Sequence, residues 1–260
     1  MPDGAGFLAY VAGVGFVACL FSGIVGVGAV MLIAPLLFFG APLFFGVALD
    51  FREISNLTTI AVVIAALRAI FIYRGYGLLR REIIGPMGIP AFVFAAAGTY
   101  LASVANPWWI QLVFAISSLT GAAFMLIPYH RALDDTTRTI ASRPFAYAFC
   151  AATIAFIGGF AGAGGGFLLI PTLMGVFRFP TRVALGTAAF TGLIVALVAF
   201  VGRIALVHID WWLVGAIALG AYIGAGIGTH YQQRVPTLIL RRAVIAVIVI
   251  AAGRLLFRTG

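Results

Sequence analysis

Residues 159–166 read GFAGAGGG, so an otherwise apolar stretch carries glycine at 159, 162, 164, 165 and 166 before running FLLIP to Pro171. Glycine weakens a helix by about 1 kcal/mol per residue, so a chain that must satisfy its backbone in apolar surroundings gains nothing from them as helix. What they offer is bare peptide. A helix restarting after Gly166 has first amides with no partner inside the helix, and that end is partly positive. Amides of this kind suit an oxyanion, and no side chain at Gly162, Gly164, Gly165 or Gly166 would hold one off. These four glycines are therefore expected to bind an anionic substrate, and a leucine at Gly165 is expected to fill the anion position while leaving the protein inserted.

The pattern occurs twice. Gly23, Gly26, Gly28, Leu32 and Pro35 repeat the spacing of Gly159, Gly162, Gly164, Leu168 and Pro171 at an offset of 136, and Val47-Ala48-Leu49 matches Val183-Ala184-Leu185 at the same offset. A weaker echo pairs Gly98-Thr99 with Gly228-Thr229 at 130. Duplication explains this better than chance. Gly26 and Gly28 join the expected site, although Ala29 and Val30 stand where the second copy has Gly165 and Gly166. The competing reading, close packing of small residues between helices, is preferred for Gly220, Gly224 and Gly228, spaced four apart on one face.

Polar residues within the apolar runs are a second pointer, since ionisable groups at membrane depth are costly. Asp50, Arg52, Glu53, Ser55, Asn56, Thr58 and Thr59 cluster after the first motif, and Thr187 and Thr191 follow the second. Asn56 and Thr187 are expected to touch substrate, and Thr187→Val to weaken affinity more than folding. Asp50, Arg52, Glu53 and Arg68 are candidates for charge balance or coupling, with Arg68 facing a cavity and Arg203 snorkelling. His130, His208 and His230 end apolar runs, and Cys19 and Cys150 have no partner at metal-ligand spacing. No metal or cofactor is expected.

The elements that must position these residues follow from composition. Of 260 residues 63% are hydrophobic and 9% charged, with a mean hydropathy of +1.17, whereas soluble domains average about a quarter charged. The chain reads as one integral membrane domain, 1–260, with MPDGAG unlike a cleaved signal peptide. The net charge of +9 comes from sixteen basic residues, all arginine and most in short loops, which points to membrane topology and not to nucleic acid. Apolar runs fall at about 5–49, 54–72, 83–105, 108–128, 145–177, 183–207, 211–231 and 243–257. The first and fifth would extend about 67 and 50 Å as single helices, against about 30 Å of hydrocarbon. Each must break or turn back.

If each long run crosses once, arginines fall on both sides. If each returns or crosses twice, Arg74, Arg80, Arg81, Arg131, Arg138, Arg143, Arg178, Arg182, Arg234, Arg241 and Arg242 share one face, leaving Arg52 and Arg258 opposite. The second count satisfies the positive-inside tendency and inverts the second half. The expected fold is all-α: a polytopic membrane protein of two inverted repeats, about 5–128 and 145–258, with about eight to ten transmembrane segments. Each repeat opens with a glycine-broken or re-entrant helical hairpin, as in secondary transporters.

On GFAGAGGGFLLIPTLMGVFRFPTRVALGTAAF at 159–190 and FSGIVGVGAVMLIAPLLFFG at 21–40, the chain resembles the sulfite exporter family, TauE/SafE, of bacterial membrane transporters. Gly162, Gly164, Gly165, Gly166, Pro171, Gly186 and Thr187 match its pattern, while SNLTT and the preceding DFRE depart from it. The resemblance implies export of a small organosulfur anion, such as sulfite, sulfoacetate or another sulfonate, across the cytoplasmic membrane by alternating access. A coupling proton or sodium ion and a homodimer are compatible with it. The rival readings are an anion channel, which needs a continuous polar path, and an intramembrane enzyme, for which paired carboxylates, H-E-x-x-H and G-x-S-x-G are all missing.

Overall fold

The structure, a computed structural model, describes residues 4–25, 28–126, 143–162, 164–204 and 210–232. Gly26, the run 243–257 and the loops 129–142 and 233–242 lie outside the described residues. Every regular element among the described residues is a helix: α1 (Gly4–Val25), α2 (Val30–Phe45), α3 (Phe51–Gly75), α4 (Arg81–Val104), α5 (Pro107–Leu126), α6 (Pro144–Ala161), α7 (Gly166–Gly175), α8 (Thr181–Ile204) and α9 (Trp211–Tyr231). Six of them, α1, α3, α4, α6, α8 and α9, are long and apolar enough to cross a membrane. This is an all-α, multi-pass membrane protein.

Both overlong runs break where their length and glycines require. The first divides into α1 and α2, and α2 itself contains a π-helical turn at Leu36–Gly40 between Pro35 and Pro42. Such turns free backbone groups that must find other partners in lipid. Here the Tyr10 hydroxyl of α1 donates to the Leu36 carbonyl at 2.6 Å. The second run divides into α6 and the ten-residue α7.

The helices pair along glycine seams. A methyl group on Gly220, Gly224 or Gly228 of α9 would collide with the carbonyls of Ala12, Phe16 and Leu20 of α1, in that order, so α1 and α9 run parallel in backbone contact. This is the packing role expected for that stripe. On the other side of the molecule, Gly98 of α4 meets the Phe156 carbonyl of α6 and Gly159 meets that of Ala95. Leu20 and Phe156 are 136 apart, and Gly98 and Gly228 are 130 apart.

Between these pairs α3 crosses α8 in opposite directions. Val62 lies beside Gly164, whose carbonyl is 3.3 Å from a methyl built on Gly192, while Ala69, Tyr73 and Leu78 pack with Leu185 and Ala189. Neighbours on α8 thus fall in number as those on α3 rise. The same contacts bring the 76–80 and 176–180 turns to one end of the molecule, where Tyr147 stacks edge-on with Phe177 and Phe179 at 5.1 and 5.5 Å. Arg74, Arg80, Arg81, Arg143, Arg178 and Arg182 lie at that end. At the opposite end Arg52 donates to the Ala105 carbonyl at 3.2 Å, and the exposed pairs Trp108–Trp109 and Trp211–Trp212 begin α5 and α9.

Candidate functional site

The two chain breaks meet at one cavity. Gly28 at the first break has φ +85°, and Gly162, Gly164 and Gly165 at the second have φ +72°, +66° and +68°. A side chain in this left-handed region costs about 1–2 kcal/mol, so these positions need glycine for conformation before any question of binding. Gly28 and Gly164 hold the same place in the two motifs, and both line a cavity of about 100 Å³. One water needs about 10–15 Å³ on this measure, so several fit.

Small side chains make the room: Ala65 and Ala66 of α3 face Ala188, Ala189 and Gly192 of α8 across it. α7 supplies the donors. The amides of Leu168 and Leu169 both bond to the Gly165 carbonyl at 3.1 Å, so the amide of Gly166 precedes the first bond within the helix. A methyl on Gly166 would meet nothing within 4 Å, and Gly166 lines the cavity. The helix end and its positive dipole therefore open onto this space. Among the described residues no arginine, aspartate or glutamate lines it; the hydroxyl-bearing side chains that do are Ser22, Tyr73 and Thr229. Tyr73 donates to the Gln232 side chain at 3.0 Å. Sequence reasoning passed over these three, although the echo at 130 had marked Thr229.

The remaining expected residues divide. Gly162 and Gly165 stand behind the cavity wall. The Gly162 carbonyl accepts the Thr59 hydroxyl at 2.9 Å, and a methyl on Gly165 would lie 3.1 Å from the carbonyl oxygen and side chain of Ile154 in α6. The expectation that leucine at 165 would fill the anion position is corrected accordingly: it would strike α6. Asn56 and Thr187 are buried; among the described residues the Asn56 amide nitrogen and the Thr187 hydroxyl make no hydrogen bond, and neither lines the cavity.

Asp50 and Glu53 are exposed and close a capping box at the start of α3: the Asp50 carboxylate accepts the Phe51 amide at 2.8 Å, and Glu53 accepts the Asp50 amide at 3.1 Å. Their geometry is that of a helix start. Arg52 meets the last turn of α4 through Ala105, where a cation complements the dipole. Arg68 does not line this cavity. Its guanidinium lies 5.0 Å from the ring centre of Tyr222, against Gly226 of α9. The Arg203 side chain lies outside the described residues.

The family's sequence profile, described as sulfite exporter TauE/SafE, matches residues 11–255. The chain belongs to that family. It is also similar to a Bacillus subtilis (strain 168) protein named "Probable membrane transporter protein YunE", with 25% identity over 135 residues, 49% of this chain and 50% of the relative. That match spans about half the length of the relative. No solved structure matches the chain.

Proposed function

We propose that the chain is a secondary transporter that carries a small organosulfur anion, such as sulfite, sulfoacetate or another sulfonate, across the cytoplasmic membrane. The observation that carries this reading is the meeting of Gly28 and Gly164, 136 residues apart and both left-handed, at one cavity onto which the start of α7 opens. Bare amides at a helix N-terminus attract an oxyanion without a fixed cation. An anion held this way is also released without breaking an ion pair. Family membership and the name of the Bacillus relative support transport as the activity.

The two halves, about 5–128 and 145–258, act as inverted repeats in this reading. Equivalent helices α3 and α8 run antiparallel, as inversion requires and parallel duplication forbids. Exchanging the halves also turns the α1–α9 seam into the α6–α4 seam. A second hollow, on the far side of the crossing, is lined by Thr99, Val198, Val201 and Gly202. These correspond by the offsets of 130 and 136 to Thr229, Val62, Ala65 and Ala66, all of which line the first cavity. Two hollows related in this way are what alternating access by a rocking pair of repeats would use. The arginine-rich end is cytoplasmic by the positive-inside tendency.

Purified protein in proteoliposomes, loaded with unlabelled sulfite and given external [35S]sulfite or labelled sulfoacetate, tests the reading. A carrier gives saturable uptake accelerated by the internal anion. Uptake that rises linearly with concentration and ignores the internal anion contradicts a carrier and favours a channel.

A further inference from the structure

Arg68 carries a full positive charge near mid-membrane, and no carboxylate of the chain is placed to meet it. Its guanidinium lies 5.0 Å from the ring centre of Tyr222, one residue past the middle of α9 (Trp211–Tyr231), and a methyl on Gly226 would lie 3.0 Å from its Nε. Arg68 is half-buried, and its enclosed Nε makes no hydrogen bond among the described residues. An ionised group at this depth is expensive unless it is paired. The seven acidic residues all lie away from it. Asp50 and Glu53 cap the start of α3, and Asp210 caps α9, at the tryptophan end. Glu82 opens α4 at the arginine-rich end. Asp3 precedes α1, and Asp134 and Asp135 fall between Arg131 and Arg138, outside the apolar runs. The Tyr222 ring face supplies a partial countercharge. The whole one must come from outside the chain.

Ala65, Ala66 and Ala69 of α3 and Ala225 and Thr229 of α9 line the cavity of the proposed anion, so Arg68 and Gly226 sit behind the wall that these residues form. Helices packed about 8–10 Å apart leave the guanidinium within about 10 Å of the anion's place. We propose that Arg68 is the fixed charge that selects the anion, acting through this wall without touching it, and that the anion carried is singly charged: hydrogensulfite or a simple sulfonate, and not a dianion such as sulfate or sulfoacetate. This deepens the transport reading above and rests on the same site. The start of α7 contributes about half a charge and the end of α6 about as much of opposite sign, so Arg68 is the whole charge in the balance. The hydration an anion gives up rises as the square of its charge, while its attraction to one fixed cation rises only in proportion. One negative charge leaves the interior neutral; two leave it negative.

The test is binding of [35S]methanesulfonate, a permanent monoanion, to the purified full-length protein by scintillation proximity, with ethanesulfonate and sulfate as competitors and thermal unfolding as the check on folding. The expected result is one saturable site per chain that ethanesulfonate displaces and sulfate at equal concentration does not. A unit charge about 10 Å away in an effective dielectric of about 20 changes affinity by roughly tenfold, so Arg68→Met is expected to weaken binding by about that factor and Arg68→Lys, which keeps the charge, to retain it. Arg68→Gln serves if the methionine variant fails to fold. No saturable binding to wild type overturns the inference together with the anion site. Undiminished binding to folded Arg68→Met or Arg68→Gln, or sulfate competing as well as ethanesulfonate, overturns the inference alone. So does loss of co-purified phosphatidylglycerol from Arg68→Met, read by lipid mass spectrometry, with methanesulfonate binding intact, which would assign the charge to a lipid phosphate. Binding with the expected charge preference but no uptake of [35S]methanesulfonate or [35S]sulfite into proteoliposomes counts against the carrier reading and leaves the charge selection standing.

Discussion

Gly164, Gly165 and Gly166 are consecutive and chemically identical, yet each is glycine for a different reason. Gly164 is left-handed and crowded, with an added methyl 2.7 Å from Val62; Gly165 is left-handed and backed by α6; Gly166 is helical and opens into the cavity. Their substitutions should therefore separate. Gly166→Leu is expected to fold with an unchanged melting temperature and to lose sulfite binding, because its side chain enters the space that an anion would occupy. Gly165→Leu is expected to lower stability by about 2–4 kcal/mol, from left-handed strain and overpacking together, as read in thermal unfolding. Equal effects of the two on stability would refute the assignment. Thr187→Val removes a buried hydroxyl that has no partner among the described residues, which mutational experience makes neutral or stabilising. Its melting temperature should hold or rise, and a fall of several degrees would mean that the hydroxyl is in use. The sequence told that this stretch must break and would bare its amides. It was silent on which glycine faces the space, because that depends on how α6 is rotated against α7.

Elements are legible from sequence when a single length or period decides them, and illegible when a partner does. The breaks between α1 and α2 and between α6 and α7 follow from runs too long for the bilayer, and the Gly220, Gly224, Gly228 stripe announces a close approach without naming α1 as the helix that approaches. Gly224→Leu should separate α1 from α9, since its side chain would meet the Phe16 carbonyl and backbone cannot yield as a side chain does. A loss of monodisperse protein on size exclusion is the expected outcome, and normal recovery would contradict the seam. Polar residues at the start of α3 were legible as a cluster but not as components. Asp50 and Glu53 turn inward on their own helix end, Arg52 reaches the end of α4, and Ser55 and Thr59 reach the end of α6. Arg52→Met keeps the stem and removes the charged hydrogen bond, so a cost of about 1–2 kcal/mol in thermal unfolding is expected, with no change if Arg52 merely snorkels.

At the scale of the molecule, charge and aromatic residues mark opposite ends. Arginines gather at the end holding the 76–80 and 176–180 turns, and two tryptophan pairs stand at the other, where indole rings favour the interface. With Cys19 and Cys150 replaced by alanine, a cysteine at Tyr76 should react with a membrane-impermeant maleimide only in inverted vesicles, and one at Asn106 only in intact cells; the reverse pattern would invert the topology. Which residues share an end was expected from arginine positions alone, because that depends on counting and not on packing. The cavity was not, since its walls are alanines that any membrane helix could carry. The account's central claim is that a small oxyanion sits on the bare backbone where the broken helices meet. The most direct measurement is anomalous scattering from selenite in crystals of the full chain. The account predicts a peak within hydrogen-bonding distance of the Gly166 amide, inside the cavity shared by Gly28 and Gly164; a peak confined to the arginine-rich surface, with none at that amide, would contradict it.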